Sequence, residues 1–382
     1  MIQQVAKHPR YQTKIFAVPL ESLFSMGNLL RAFYFVRPGK THRNETQVFV
    51  GDAYNMLSIL RDRILRGAYT PQDPHFFRIW CISGQKIRDI YAPHFVDLIV
   101  QACLYLHLRK FFNSKFVATN CGCRKGKGTR AAADYVEQFS HRIVSKKRHN
   151  VQLDIKKYYY SIDLNILRGI LYRFIADCRI CELLMKFTNE FQHKTVGICI
   201  GNLLAQLFGL IYLNVFDHYV KRVLKVKYYV RYVDDMVFIN LTKSEAKLII
   251  AKCRKFLHDV LHLTLSKAKD LKVYQGINFV GYRTFRKYRV IRKRSLKNFL
   301  KALQDWNFDA LDSIAAHTEH TASYKFIMSA LQKALELAQE SKRFIQLPGY
   351  LSRRLTKWQS THIKSSKQKA HTEASSTSLV AL

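Results

Sequence analysis

Apolar positions along the chain change period several times, and each change marks an element. Between residues 21 and 70 they recur at helical spacing, through Leu23, Met26, Leu29 and Leu30 and again through Met56, Ile59, Leu60 and Ile64. Short alternating runs follow, Phe77-Arg78-Ile79-Trp80 and Lys86 to Tyr91, and predict two strands before Pro93. A helix is expected from about Asp97 to Phe112 and another from Arg130, after a Gly- and Lys-rich loop over 121–129. Val151-Gln152-Leu153-Asp154-Ile155 reads as a short strand with an acidic residue near its end, and 164–190 as helical. Val196 to Phe216 carries no charge and is long enough for a membrane span, but its glycines, asparagines and Gln206 favour a buried turn and helix. Two apolar runs, Val226–Val230 and Met236–Ile239, flank Tyr232-Val233-Asp234-Asp235 and predict a hairpin. A helix over 244–258, strands at 263–265 and 277–282, and helices within 295–340 complete the pattern, which is α+β rather than doubly wound. Lys364–Leu382 is rich in Ser, Thr and Lys and is expected to be flexible.

Charge narrows the function. The chain has 382 residues and carries +36, from 63 Lys+Arg against 27 Asp+Glu, with 48% hydrophobic residues. It is therefore globular, and its excess charge points to a polyanionic partner. The basic residues run from Lys7 to Lys369, which suits a nucleic-acid footprint better than a local membrane-binding segment. Met1–Leu20 has no apolar signal-peptide core, and the eight cysteines lie mostly in apolar runs, so reduced thiols in a cytoplasmic protein are expected. Cys178-x-x-Cys181 has no second CxxC or HxxxH to complete a zinc site.

The rarity of carboxylates makes Asp234-Asp235 informative. Adjacent like charges at a hairpin tip repel unless protonated or bridged by a cation. If the strand ending at Asp154 neighbours the hairpin, three carboxylates converge, a donor set able to hold two Mg²⁺ ions about 4 Å apart for in-line phosphoryl transfer. Mn²⁺ is the alternative ion.

These motifs resemble those of reverse transcriptases, nearest the prokaryotic branch of retrons, group II introns, diversity-generating retroelements and defence-associated enzymes. Asp154 to Asp163 is similar to the first palm motif and Tyr232–Asp235 to the second. The resemblance implies a right-hand polymerase fold. Fingers would occupy 20–150 with 165–196, an antiparallel palm 151–164 and 197–282, a short helical thumb 283–340, and a flexible basic tail 341–382. Asp154, Asp234 and Asp235 would be metal ligands, with the Ile155 carbonyl, and Lys269, with Lys267 close by as the alternative, would protonate the leaving diphosphate. Tyr159 falls where the family keeps an aromatic steric gate against ribonucleotides. Lys86, Arg88, Ile200, Gly201 and Gln206 would contact the incoming dNTP. Arg124, Lys125 and Lys127, in a glycine-rich loop, would bind template phosphates. Phe279-Val280-Gly281-Tyr282 resembles the primer grip, and Arg286, Lys287 and Arg292 belong to a basic stripe that would hold the hybrid.

The activity implied is RNA-directed DNA synthesis by two-metal nucleotidyl transfer. Its partners would be an RNA template, often a dedicated noncoding RNA, a DNA or protein primer, dNTPs, and a second protein or homo-oligomeric copy, with no membrane. Ala205, where relatives of the retroelement type keep Ser, and Leu98, where many keep Arg, favour antiviral defence over mutagenic retrohoming. A template-independent polymerase and a polymerase-derived RNA-binding scaffold are the other readings.

Overall fold

The structure, a computed structural model, describes residues 14–81, 86–188, 194–341 and 345–361, and for Lys86 the backbone alone. The chain divides into two compact units, one ending at Lys272 and the other starting at Val273.

The first unit opens with helices α1 (Leu20–Leu23), α2 (Met26–Val36), α3 (Asn44–Gly51) and α4 (Ala53–Leu65). The strands β1 (His75–Cys81) and β2 (Lys86–Ala92) form an antiparallel hairpin in which His75 faces Ala92. Helices α5 (Phe95–Asn113) and α6 (Thr129–His141) follow, then β3 (His149–Ile155), α7 (Leu164–Phe174), α8 (Cys178–Met185) and α9 (Leu203–His218). The unit closes with β4 (Tyr229–Tyr232), β5 (Asp235–Leu241), α10 (Lys243–Leu261) and β6 (Leu265–Lys272). The expected segment 164–190 is thus two helices, and 189–190 lies outside the described residues.

Four strands form one antiparallel sheet in the order β4-β5-β3-β6. Its central strand β3 is buried at every position except Asp154, so both its faces are covered. Each large apolar side chain sealed there and in β5, such as Leu153, Met236 and Phe238, contributes about 1.5–3 kcal/mol. The edge strand β6 differs from expectation. A strand is predicted at 263–265, but β6 runs on through Ser266-Lys267-Ala268-Lys269-Asp270. That polar run is a strand because β3 pairs with it, and its charges suit an exposed edge.

One core runs from Phe16 to Leu263 without a break between the segments expected as fingers and palm. Helix α9 lies at its centre: the apolar stretch that is long enough to cross a membrane is 72% buried within this fold. Asp163 caps α7 through the amides of Asn165 and Ile166, Asn202 caps α9 through Ala205, and Thr242 with Glu245 forms a capping box on α10.

The second unit contains a three-stranded sheet, β7 (Ile277–Phe279), β8 (Tyr282–Thr284) and β9 (Arg289–Ile291), in that order. Ile277–Phe279 and Tyr282, from the end of the segment expected as palm, belong to this sheet, in which β7 bonds to β8 and β8 to β9. Helices α11 (Lys293–Gln304), α12 (Phe308–Thr318) and α13 (Tyr324–Glu340) follow. A further helix, α14, covers 349–361 inside the segment expected as a flexible tail. It is ordered because Leu351, Leu355 and Trp358 bury themselves with Phe299, Leu311 and Ile327 in a separate core. The Lys364–Leu382 stretch lies outside the described residues.

Leu351→Ala should therefore destabilise this second unit by about 2–5 kcal/mol, as expected for truncating a fully buried leucine. Urea unfolding checks it, and an unchanged transition would mean that 349–361 does not pack.

Candidate active site

The sheet brings the three carboxylates together. Asp154 is the penultimate residue of β3 and Asp235 the first of β5, and these two residues are direct antiparallel partners. Directly opposed residues share a face, with Cβ atoms about 4.5–5.5 Å apart. Tyr232 pairs with Asp235, so Val233 and Asp234 form a two-residue turn that places Asp234 beside them. All three are half-buried. The Ser266 hydroxyl donates to the Asp154 carboxylate and to its backbone carbonyl. An all-oxygen set of this kind matches hard divalent cations, and opposed carboxylates in a half-buried position gain most from one. The residues therefore fit a divalent metal, with Asp154, Asp234 and Asp235 as the side chains that would hold it.

Beneath the turn lies a buried ion pair. The Arg231 and Asp217 side chains are both 0% exposed. Arg231 Nε donates to Asp217 Oδ1 at 2.7 Å and Nη2 to Oδ2 at 2.5 Å, a bidentate fork. Tyr229 OH adds a third bond to Asp217 at 2.8 Å. Burial alone would lower the Arg231 pKa, but Asp217 outweighs it and holds the guanidinium above its ordinary value. The remaining Arg231 nitrogen, Nη1, donates to the Val233 carbonyl at 2.7 Å. Val233 has φ +56°, a left-handed conformation costly for a β-branched residue, by about 1–3 kcal/mol. Arg231 thus ties a strained turn to the core. A second tie comes from residues 119–121: Cys121 N donates to the Arg231 carbonyl and Arg231 N to the Thr119 carbonyl. Gly122 then passes so close that a Cβ would stand 2.6 Å from the Val233 nitrogen.

Comparison with known proteins supplies the family. The family described as reverse transcriptase (RNA-dependent DNA polymerase) matches residues 83–284, more than half of the chain. The chain belongs to the reverse transcriptase family. Membership implies dependence on a divalent metal in general. The group II intron-encoded protein LtrA of Lactococcus lactis subsp. cremoris is 23% identical over 62% of this chain and 52% of its own length. Its counterpart from strain MG1363 matches alike. The chain thus spans about half the length of the curated relatives it matches.

Around the carboxylates, the chain places Tyr159 on a 3₁₀ turn, Tyr158–Ser161. Burial, then Cys123 and Asp234, raise the Tyr159 hydroxyl pKa, and Arg231 and Arg88 oppose the shift, so the ring lies within the electrostatic reach of Asp234 and of both arginines. Gly209 of α9 makes room for it: a Cβ there would meet Tyr159 at 3.0 Å and Tyr158 at 3.2 Å. Tyr158 OH donates to the Gly209 carbonyl at 2.5 Å. Ile198 N donates to the Tyr159 carbonyl, which joins the 197–206 segment to the same site. Within that segment Ile200 is half-buried and Gln206 exposed on the first turn of α9. Gly201, φ +120°, would bring a Cβ to 2.7 Å from the Tyr91 carbonyl, so here glycine answers to the backbone of β2. Arg88 is half-buried on β2, opposite Ile79. Lys86 is on the same strand, but its side chain lies outside the described residues.

Two expected roles need correction. Lys269 pairs with Gln152, about 7 Å farther along the strand, whereas Lys267 pairs with Asp154 itself. The lysine beside the carboxylates is therefore Lys267. Arg124, expected on template phosphates, directs its guanidinium inward to the Val117 and Asn120 carbonyls at 2.9 and 2.8 Å and to Asn113. It shapes the loop. Lys127 rests against Tyr135, at 3.1 Å from its hydroxyl, and Lys125 is exposed.

In the second unit, Phe279 and Tyr282 are 1% and 6% exposed, so these aromatics are packed inside and not presented to a primer. Tyr282 stacks on His317 at 4.2 Å and donates to its carbonyl at 3.0 Å. Gly281, φ +95°, is required because a Cβ would meet His317 Nε2 at 2.8 Å. Arg286 and Arg292 are half-buried and Lys287 is exposed on the loop between β8 and β9.

Arg231, Asp217, Gly122 and Gly209 escape a reading of the motifs. A usable signal for the first two is present, since each is a lone charge in an otherwise apolar run. Breaking the pair by Asp217→Leu should cost about 3–5 kcal/mol, and Asp217→Leu with Arg231→Met should recover much of it. Thermal unfolding of single and double variants checks this, and additive losses would contradict a coupled pair.

Proposed function

We propose that this chain is an RNA-directed DNA polymerase that makes cDNA with Mg²⁺ as its metal. The observation that carries this reading is the cross-strand pairing of Asp154 with Asp235, with Asp234 in the adjoining turn. The primer 3′-hydroxyl attacks the α-phosphate of a dNTP, and diphosphate leaves. Two Mg²⁺ ions on Asp154, Asp234 and Asp235, with the Ile155 carbonyl, would lower the pKa of the attacking hydroxyl and neutralise charge on the diphosphate. Lys267, the cross-strand neighbour of Asp154, is the better placed proton donor to the departing diphosphate than Lys269. Arg88 supplies positive charge toward the triphosphate. Tyr159, held by Gly209 and Ile198, forms a wall against a ribose 2′-hydroxyl. Lys125 and Lys127 lie on a loop suited to template phosphates, and Lys287 extends the basic surface of the second unit.

For the biological role we propose copying of a dedicated noncoding RNA in prokaryotic antiviral defence, in the cytoplasm. Ala205 and Leu98 support this over mutagenic retrohoming, for which the relatives keep a serine at the first position. The intron-encoded relative supports an RNA template without favouring either role. Sequencing nucleic acid that copurifies with the protein tests the choice: one discrete small RNA supports defence, and a variable-gene template repeat overturns it.

Primer extension on an RNA template tests the chemistry. Asp154→Asn and Asp234→Asn should each lower the rate by roughly a thousandfold or more, about 4 kcal/mol of barrier, with RNA binding retained. Extension near the wild-type rate in either variant would refute the carboxylate assignment. Tyr159→Val should raise rNTP incorporation relative to dNTP by roughly tenfold or more, about 1.4 kcal/mol of discrimination. An unchanged ratio would remove Tyr159 from the gate.

A further inference from the structure

A second cluster of ligating side chains stands at the root of the β1–β2 hairpin. Glu45 lies in the first turn of α3, His75 is the first residue of β1, and His94 immediately precedes α5. One ligand atom from each lies within 4.8 Å of the other two. The two imidazole rings sit 4.2 Å apart between centroids.

The surroundings orient these groups. His94 Nε2 lies 3.0 Å from the Asp73 carbonyl, which only accepts, so Nε2 carries the proton in the neutral ring. That leaves the Nδ1 lone pair aimed at Glu45 Oε2, 3.4 Å away. Two lone pairs facing each other repel unless a proton or a metal ion stands between them. Glu45 Oε2 is itself held by the Phe95 amide at 3.2 Å, at the start of α5. A histidine whose far nitrogen donates to a backbone carbonyl, beside a carboxylate already fixed by an amide, is the outer-shell pattern of a bound metal.

We propose that Glu45, His75 and His94 form a site for a borderline transition-metal ion, zinc foremost. Two imidazoles and one carboxylate suit Zn²⁺ and disfavour Mg²⁺, which takes oxygen donors. Tetrahedral zinc with bonds of about 2.0–2.2 Å holds its ligand atoms about 3.4 Å apart. His94 Nδ1 and Glu45 Oε2 already stand at that separation, rotation of the exposed His75 ring brings in the third ligand, and solvent supplies a water as the fourth. His75 pairs with Ala92, so the ion would fasten both ends of the hairpin that carries Arg88 to α3 and α5. The site is chemically distinct from the all-oxygen set of Asp154, Asp234 and Asp235, and it does not depend on the polymerase reading.

The test is zinc binding by the full chain, measured by metal analysis after dialysis and by thermal unfolding with and without Zn²⁺. The wild type should retain one ion that excess Mg²⁺ does not displace, and zinc should raise its melting temperature. His75→Gln, at an exposed position that folding tolerates, and Glu45→Gln should weaken binding beyond the 10–100-fold typical of losing an outer-shell partner, and should abolish the thermal shift. Asp234→Asn and Cys178→Ser should bind zinc as the wild type does. Equal retention by His75→Gln and wild type, loss in Cys178→Ser, or no zinc retained by the wild type would each overturn the proposal.

Discussion

The turn that sets Asp234 beside the two paired carboxylates rests on one guanidinium. Arg231 is sealed in the first unit with Asp217, and neither charge reaches solvent. Such a pair adds little net stability, because desolvation consumes most of the attraction. Its effect is geometric. The fork to Asp217 consumes two nitrogens and aims the third at the Val233 carbonyl, so the turn that carries Asp234 inherits the rigidity of α9 and β4. A flexible hairpin tip would let like charges drift apart. A clamped one holds them at close quarters, where a cation gains most.

The carboxylate motifs are legible in the chain because their chemistry is local. An acidic pair between two apolar runs is visible as letters, and the short apolar runs on either side of it predict the hairpin. The positioning groups are harder to see, since their meaning is long-range. Arg231 reads as an ordinary strand residue until α9 brings Asp217 beneath it. Gly209 reads as helix punctuation until Tyr158 and Tyr159 press on it. The choice between Lys267 and Lys269 is a question of register, and one strand's pairing partner is not written in its own composition.

Aromatic and basic residues misled for a related reason. Phe279 and Tyr282 lie in a motif that suggests contact with a primer, yet alternation in so short a strand turns both inward. Arg124 sits in a loop of exposed cations but finds carbonyls of its own chain within reach. The helix over 349–361 has too few apolar residues to stand out in a basic sequence, and only its partners in the second core reveal which face they form. Charge predicts what a surface attracts and says little about which of its members are already engaged.

The parallel bridge between Asn120 and Arg231 has a temporal consequence. It joins segments far apart in sequence, and the turn is gripped only when both are present. During synthesis the 119–122 segment emerges long before β4 exists, so its amide and carbonyl groups wait for partners made much later. Closing so long a loop is entropically slow and is repaid only once α9 has buried Asp217. The carboxylate end of the sheet therefore cannot be completed until β4 has been made. A nascent chain carries its positive charge well before it carries a finished site.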